Sequence, residues 1–74
     1  MTKIYSEDQK YLVTRLKQAR IEAGFGQIEV ANKIKRTQSY VSKIESGQTK
    51  IDVVTLRVFS DLYNKKINYF IDDN

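Results

Sequence analysis

The 74-residue chain contains no cysteine, no histidine, no proline and no tryptophan. Without cysteine or histidine it has no disulfide, no thiol nucleophile, no Cys/His zinc site and no imidazole general base. The side chains left to ionise are Lys, Arg, Asp, Glu and Tyr, and nothing in their spacing gathers them round a cleft. Neither catalysis nor a metal or cofactor is therefore expected. The lack of proline removes the strongest helix breaker, and the three glycines, at 24, 26 and 47, stand at intervals suited to helix ends. No apolar run approaches membrane-spanning length, and the N-terminus Met1-Thr2-Lys3-Ile4-Tyr5-Ser6-Glu7-Asp8 lacks the apolar stretch of a secretion signal. A cytoplasmic protein with no membrane attachment is the expectation.

Apolar residues make up 41% of the chain, enough for one domain over 1–74. A chain this short buries only about 60% of its unfolded surface, which leaves no room for a deep substrate pocket. The net charge is +4, unevenly spread: residues 1–50 hold ten Lys/Arg against five Asp/Glu, and residues 51–74 hold three against four. A basic surplus in the first two-thirds suits a polyanion partner, because cations that neutralise phosphates release condensed counterions. On its own the charge would serve solubility equally well.

No stretch alternates in polarity as a strand does, so the chain reads as all-α. Ser6 followed by Gln9 is a capping-box pattern, and Leu12, Leu16, Ala19 and Ala23 recur on one face until Gly24, which predicts a first helix over 7–23. Gly26 can cap a second helix from Gln27 to Ile34 with Val30, Ala31 and Ile34 inward. Thr37 caps a third running to about Ser46, with Val41 and Ile44 inward and Gly47 closing it. Asp52 caps a fourth whose Val54, Leu56, Val58, Phe59 and Leu62 complete the core, and Asn68 starts a last turn with Phe70 and Ile71. Five helices are expected.

The segment from Gln27 to Gly47 carries the functional signal. Ala31 is small enough to let two helices cross closely, and Val41 and Ile44 anchor the second of them to the body. Gln38, Ser39, Ser42 and Lys43 are then turned outward, as two i,i+4 pairs forming one stripe. Gln can bond adenine N6 and N7 together, Ser donates or accepts, and Lys reaches guanine or a phosphate. Taken singly these are ordinary surface residues; as a stripe on an anchored helix they match base edges in a major groove.

The chain resembles the Cro/repressor-type helix-turn-helix domains of the Xre family of phage and bacterial transcription regulators. The matching words are Leu16-Lys17-Gln18-Ala19-Arg20, then Gln27 with Val30-Ala31, then Gln38-Ser39-Tyr40-Val41-Ser42-Lys43-Ile44-Glu45-Ser46-Gly47. They occur in order over about residues 11–71, the expected core of a compact five-helix, lambda-repressor-like domain. The resemblance implies a sequence-specific regulator, a repressor, reading a double-stranded DNA operator as a homodimer. It implies that Gln27 and Thr37 bond phosphate, that Gln38, Ser39, Ser42 and Lys43 face the major groove, and that Gln48, Thr49 and Lys50 lie along the backbone. Arg20 and Glu45 would form an internal ion pair that ties helix 1 to the end of helix 3.

Three positions depart from the family pattern. Lys35 stands where a glycine is usual, and in a left-handed conformation it would carry a steric cost of about 1–2 kcal/mol. Arg36 replaces an apolar residue, making the turn more basic, and Gly26 replaces the usual Ser/Thr. Tyr40 is expected to cover the seam between helices 2 and 3. Lys33, Lys35 and Arg36 make a basic face, while Phe59, Leu62, Ile67 and Phe70 belong to the core. Tyr63, Tyr69 and Ile71 exceed what so small a core holds, which suggests a dimer interface in the C-terminal third. The alternative function is protein binding, as an antitoxin or adaptor, although only Asp72-Asp73-Asn74 lies past the expected fold.

Overall fold

The computed structural model describes residues 2–71, with side chains from residue 8 onward. Four α-helices follow one another: α1 (Thr2–Glu22), α2 (Gln27–Ile34), α3 (Gln38–Glu45) and α4 (Val53–Tyr63), and a 3-10 turn (Ile67–Tyr69) comes last. The class is all-α, as expected, with the fifth helix reduced to that turn. Asp72-Asp73-Asn74 lie outside the described residues.

α2, α3 and α4 start at the predicted caps. Thr37 Oγ1 accepts from the Tyr40 N–H at 3.1 Å, and Asp52 Oδ1 accepts from the Thr55 N–H at 2.7 Å. Gly26 offers only an extended backbone before α2. α1 differs: it is already helical at Thr2, so Ser6 stands inside the helix and is not its cap. Nothing upstream of Gly24 breaks a helix, and serine within one costs little against alanine. All four helices end alike, on a residue in the left-handed region at Gly24, Lys35, Gly47 or Asn64. After α3, for example, the Gly47 N–H reaches the Ile44 carbonyl at 3.1 Å and the Gln48 N–H reaches that of Lys43 at 2.9 Å, the paired closure of a Schellman motif.

The core gathers one stripe from each helix: Leu16 and Ala19, then Val30 and Ala31, then Val41 and Ile44, then Leu56, Phe59 and Tyr63, closed by Phe70. Leu12, Ile34, Leu62 and Ile67 pack against it half-buried. Three expectations about the core are corrected. Ala23 is exposed, because α1 ends at Glu22 and the chain turns away there. Val54 and Val58 are exposed, since each lies two residues from Leu56 and so about 160° round the helix from it. Tyr63 is buried at 4% exposure, seven residues on from Leu56 and back on the inward face, with its ring stacked 5.8 Å from Phe59.

The C-terminal turn is clasped to α1. Arg15 lays its guanidinium 3.8 Å from the centre of the Tyr69 ring and donates from Nε to the Tyr69 carbonyl at 2.8 Å. Lys65 meets Glu22 at 2.9 Å, a bond that holds the Glu22 carboxyl below its ordinary pKa. The capping position of the turn belongs to Lys66 and not to Asn68, because left-handed Asn64 reverses the chain directly after α4. Tyr69 is half-buried and Ile71 exposed, so of the three residues expected at an interface only Ile71 lies largely open.

Candidate nucleic-acid interface

α2 and α3 cross over Ala31, which is buried beside Val30. The turn between them places Lys35 in the left-handed region at φ 60°, with the Arg36 N–H on the Ala31 carbonyl at 2.8 Å. The basic turn thus keeps the geometry that glycine would give, with a side chain added. Arg36 covers the ring of half-buried Tyr40 at 4.7 Å, and Tyr40 packs against the core beside a cleft that Ile34 and the α4 residues Val54 and Val58 also line. Lys33 lies over Phe25 at 5.1 Å.

Val41 and Ile44 are fully inside, and this fixes how α3 presents its other positions. Gln38, Ser39 and Lys43 are exposed and Ser42 is half-buried, all on α3. Thr37, exposed at its start, uses its oxygen as the cap and keeps its hydroxyl proton. Gln48, Thr49 and Lys50 are exposed in the loop after Gly47.

A chain of hydrogen bonds runs from the scaffold to this face. Arg20 donates to both Glu45 oxygens, from Nε at 2.7 Å and from Nη2 at 3.1 Å, and its Nη1 donates to the Phe25 carbonyl at 2.8 Å. The two side chains are only 11% and 6% exposed. The hydrogen bond to Glu45 holds the guanidinium above its already high pKa, outweighing the opposing effect of burial. Gln27 Nε2 donates to Glu45 Oε1 at 3.1 Å, and Gln38 Nε2 donates to Gln27 Oε1 at 2.9 Å.

The polarity of this chain follows from its inner end. A carboxylate only accepts, so Gln27 turns its amide nitrogen toward Glu45 and its carbonyl oxygen outward. That oxygen in turn draws the Gln38 nitrogen. Gln38 keeps one N–H proton and its own carbonyl oxygen for a ligand, a donor and an acceptor side by side, the pair that adenine N7 and N6 require. Gln27 retains one N–H proton.

The structure brings together Gln27, Gln38, Ser42 and the Arg20–Glu45 pair, and Lys50 stands on the loop beyond α3, in a neighbouring cleft that shares Ser46. It also adds a residue that sequence reasoning passed over. Lys17, on α1, borders a cleft of about 250 Å³ with Gln27, Ser42, Glu45 and Ser46. Its signal was available: it stands three residues before Arg20, on the side of α1 that meets α3.

Among the described residues no cluster of acidic side chains could hold a metal ion, and no helix is long and apolar enough to cross a membrane. A family model described as helix-turn-helix matches residues 16–70. No curated protein and no solved structure matches the chain significantly. Domains of the matched family bind DNA and typically are not enzymes. The match covers most of the chain and spans α2, the turn and α3 as the hydrogen bonds define them; the chain belongs to the Cro/C1-type helix-turn-helix family, the Xre family.

Proposed function

We propose that this protein is a sequence-specific transcription regulator, a repressor and not an enzyme, that works in the cytoplasm as one domain over 1–74 and inserts α3 into the major groove as a homodimer. The observation that carries the reading is the polar stripe of Gln38, Ser39, Ser42 and Lys43 on a helix anchored by fully buried Val41 and Ile44. In this reading Gln38 bonds adenine, Ser39, Ser42 and Lys43 complete the base contacts, and Gln27, Thr37 and Lys50 take phosphates, which set register without reading sequence.

A second copy supplies the second half-site. With Tyr63 and Phe70 inside the core, most of the apolar surface left in the described part of the C-terminal third is the outer side of α4, where Val53 is 77% exposed and Val54 74%, with Ile71 open beyond it. A two-fold pairing through this side presents two α3 helices to one face of the DNA, about 34 Å apart for half-sites one turn apart.

Selection from random duplexes followed by fluorescence titration tests the reading. Gln38→Ala should cost about 1–3 kcal/mol on the selected site and little on random DNA, and Lys50→Ala should weaken both alike. Val54→Asp should halve the stoichiometry on a two-half-site duplex without unfolding the monomer. Absence of affinity for every duplex at low salt would end the DNA reading, and selected sites holding one unrepeated half-site would end the dimer.

A further inference from the structure

Several clefts lie between α1 and the C-terminal end of α3, and two of them also reach Ser46 just beyond it. The smaller, described above, sets Lys17 opposite Ser42 and Ser46. The larger, of about 450 Å³, is lined by Gln9, Lys10 and Val13 of α1 and by Ser46, Gly47, Gln48 and Lys50 of the loop after α3. Its described lining holds two ammonium groups, two primary amides and a hydroxyl. Lys10 and Lys17 are seven residues apart on one continuous helix, hence within about 20° of each other around its axis and about 10 Å apart along it. They form a ridge parallel to α1, beside the end of α3 and the loop that follows it.

We infer that this ridge is a second DNA-backbone contact surface, in which Lys10 and Lys17 take phosphates of the strand flanking the half-site. The inference rests on the proposal that α3 enters the groove. If it does, the groove wall on the side of Ser46 and Gln48 faces α1, and two cations about 10 Å apart can engage separate phosphates of one strand but not a single anion. Lys10 lies outside the segment 16–70 that the family model matches, so its contribution belongs to the N-terminal part of α1 in this chain. The contact is to phosphate alone: it extends the footprint and strengthens binding without adding sequence preference.

The test uses the full chain and duplex DNA carrying the selected site or a random sequence, with affinity measured across a salt series. Lys10→Gln and Lys17→Gln nearly keep helix propensity and shorten the side chain by one atom while removing charge, and a thermal melt confirms that each folds. Each variant should make the slope of log K against log salt less negative by about 0.9, the double variant by about 1.8, equally on both DNAs. Lys66→Gln, at the C-terminal turn and in neither cleft, removes the same charge and should leave the slope unchanged. Wild type that binds DNA while Lys10→Gln and Lys17→Gln keep its slope overturns the ridge alone. An equal shift in Lys66→Gln also overturns it, because net charge would then account for the effect. Wild type with no affinity for any duplex overturns the DNA reading and the ridge with it.

Discussion

Gln38 donates its amide N–H to the carbonyl oxygen of Gln27 at 2.9 Å, and Gln27 is held by the carboxylate that also pairs with Arg20. The first residue of the proposed reading helix is therefore oriented through two side-chain bonds by a largely buried ion pair. A glutamine has three rotatable side-chain bonds before its amide, and fixing them before DNA arrives lowers the entropic cost of a two-bond contact with a base. Scaffold and reading face are linked through α2.

The linkage predicts that Gln27 affects sequence discrimination as well as affinity. Gln27→Ala removes one phosphate donor, and it also frees Gln38 to turn. Its loss on the selected site should exceed its loss on random DNA, unlike that of Lys50→Ala. In a double-mutant cycle with Gln38→Ala on the selected site, the two losses should fall short of additivity by about 0.5–1 kcal/mol. Full additivity in the titrations would show that the Gln27–Gln38 bond does not survive in the complex.

The Arg20–Glu45 pair should behave as scaffold. Arg20→Ala leaves a carboxylate nearly out of water, and Glu45→Ala leaves both a guanidinium and the Gln27 amide without their acceptor. Each should cost about 3–5 kcal/mol, a large share of the roughly 4–11 kcal/mol available to a domain this size. The double variant should lose less than the sum, because it strands no charge. Urea titrations of the four proteins measure this, and a double variant at the full sum would mean that the two charges are independent.

α2 and α3 were legible in the sequence because their signals are local. Thr37 and Gly47 mark ends through their own backbone preferences, and Val41 with Ile44 leaves one choice of inward face. α4 was harder. Its apolar residues 53, 54, 56, 58, 59, 62 and 63 occupy almost the whole circumference, so periodicity could not separate exposed Val54 and Val58 from buried Phe59 and Tyr63. The start of α1 misled for a different reason: a Ser with Gln three residues on is a cap only where the preceding chain is not helical. In the candidate interface, outward positions on α3 followed from the anchors, and the Arg20–Glu45 pair from family resemblance. Lys17 could have been placed from its position three residues before Arg20, whereas the Gln27–Gln38 bond depends on how α2 and α3 cross, which no spacing along the chain encodes.

Lys35 offers a test of the turn. It sits at φ 60° and ψ 47°, where a Cβ costs about 1–2 kcal/mol that glycine avoids, while glycine loses about 0.4–1 kcal/mol through its freer unfolded chain. Lys35→Gly should therefore raise stability by about 0.5–1 kcal/mol in thermal or urea unfolding. A lower melting point would mean that the lysine stem contributes packing that outweighs its backbone cost.

Tyr63 gives the pH dependence. Its hydroxyl is buried and has no hydrogen-bond partner among the described residues. Burial first, and the nearby negative charge of Glu45 second, push its pKa well above the ordinary tyrosine value, with Arg20 opposing. Below about pH 10 the hydroxyl is protonated in both folded and unfolded chains and adds no pH dependence. As pH rises past that point the unfolded chain releases the proton and the folded chain retains it, so stability falls over the window between the two pKa values. Tyr63→Phe abolishes this contribution while keeping the ring that stacks on Phe59. At pH 7 the variant should be as stable as wild type or more so, by up to about 1 kcal/mol, because it removes a polar group that finds no protein partner. Between pH 9 and pH 11 it should lose less stability than wild type. Urea unfolding at the three pH values decides the matter: equal alkaline losses would place the titrating group elsewhere, and a variant weaker than wild type at pH 7 would show that the hydroxyl is bonded in solution.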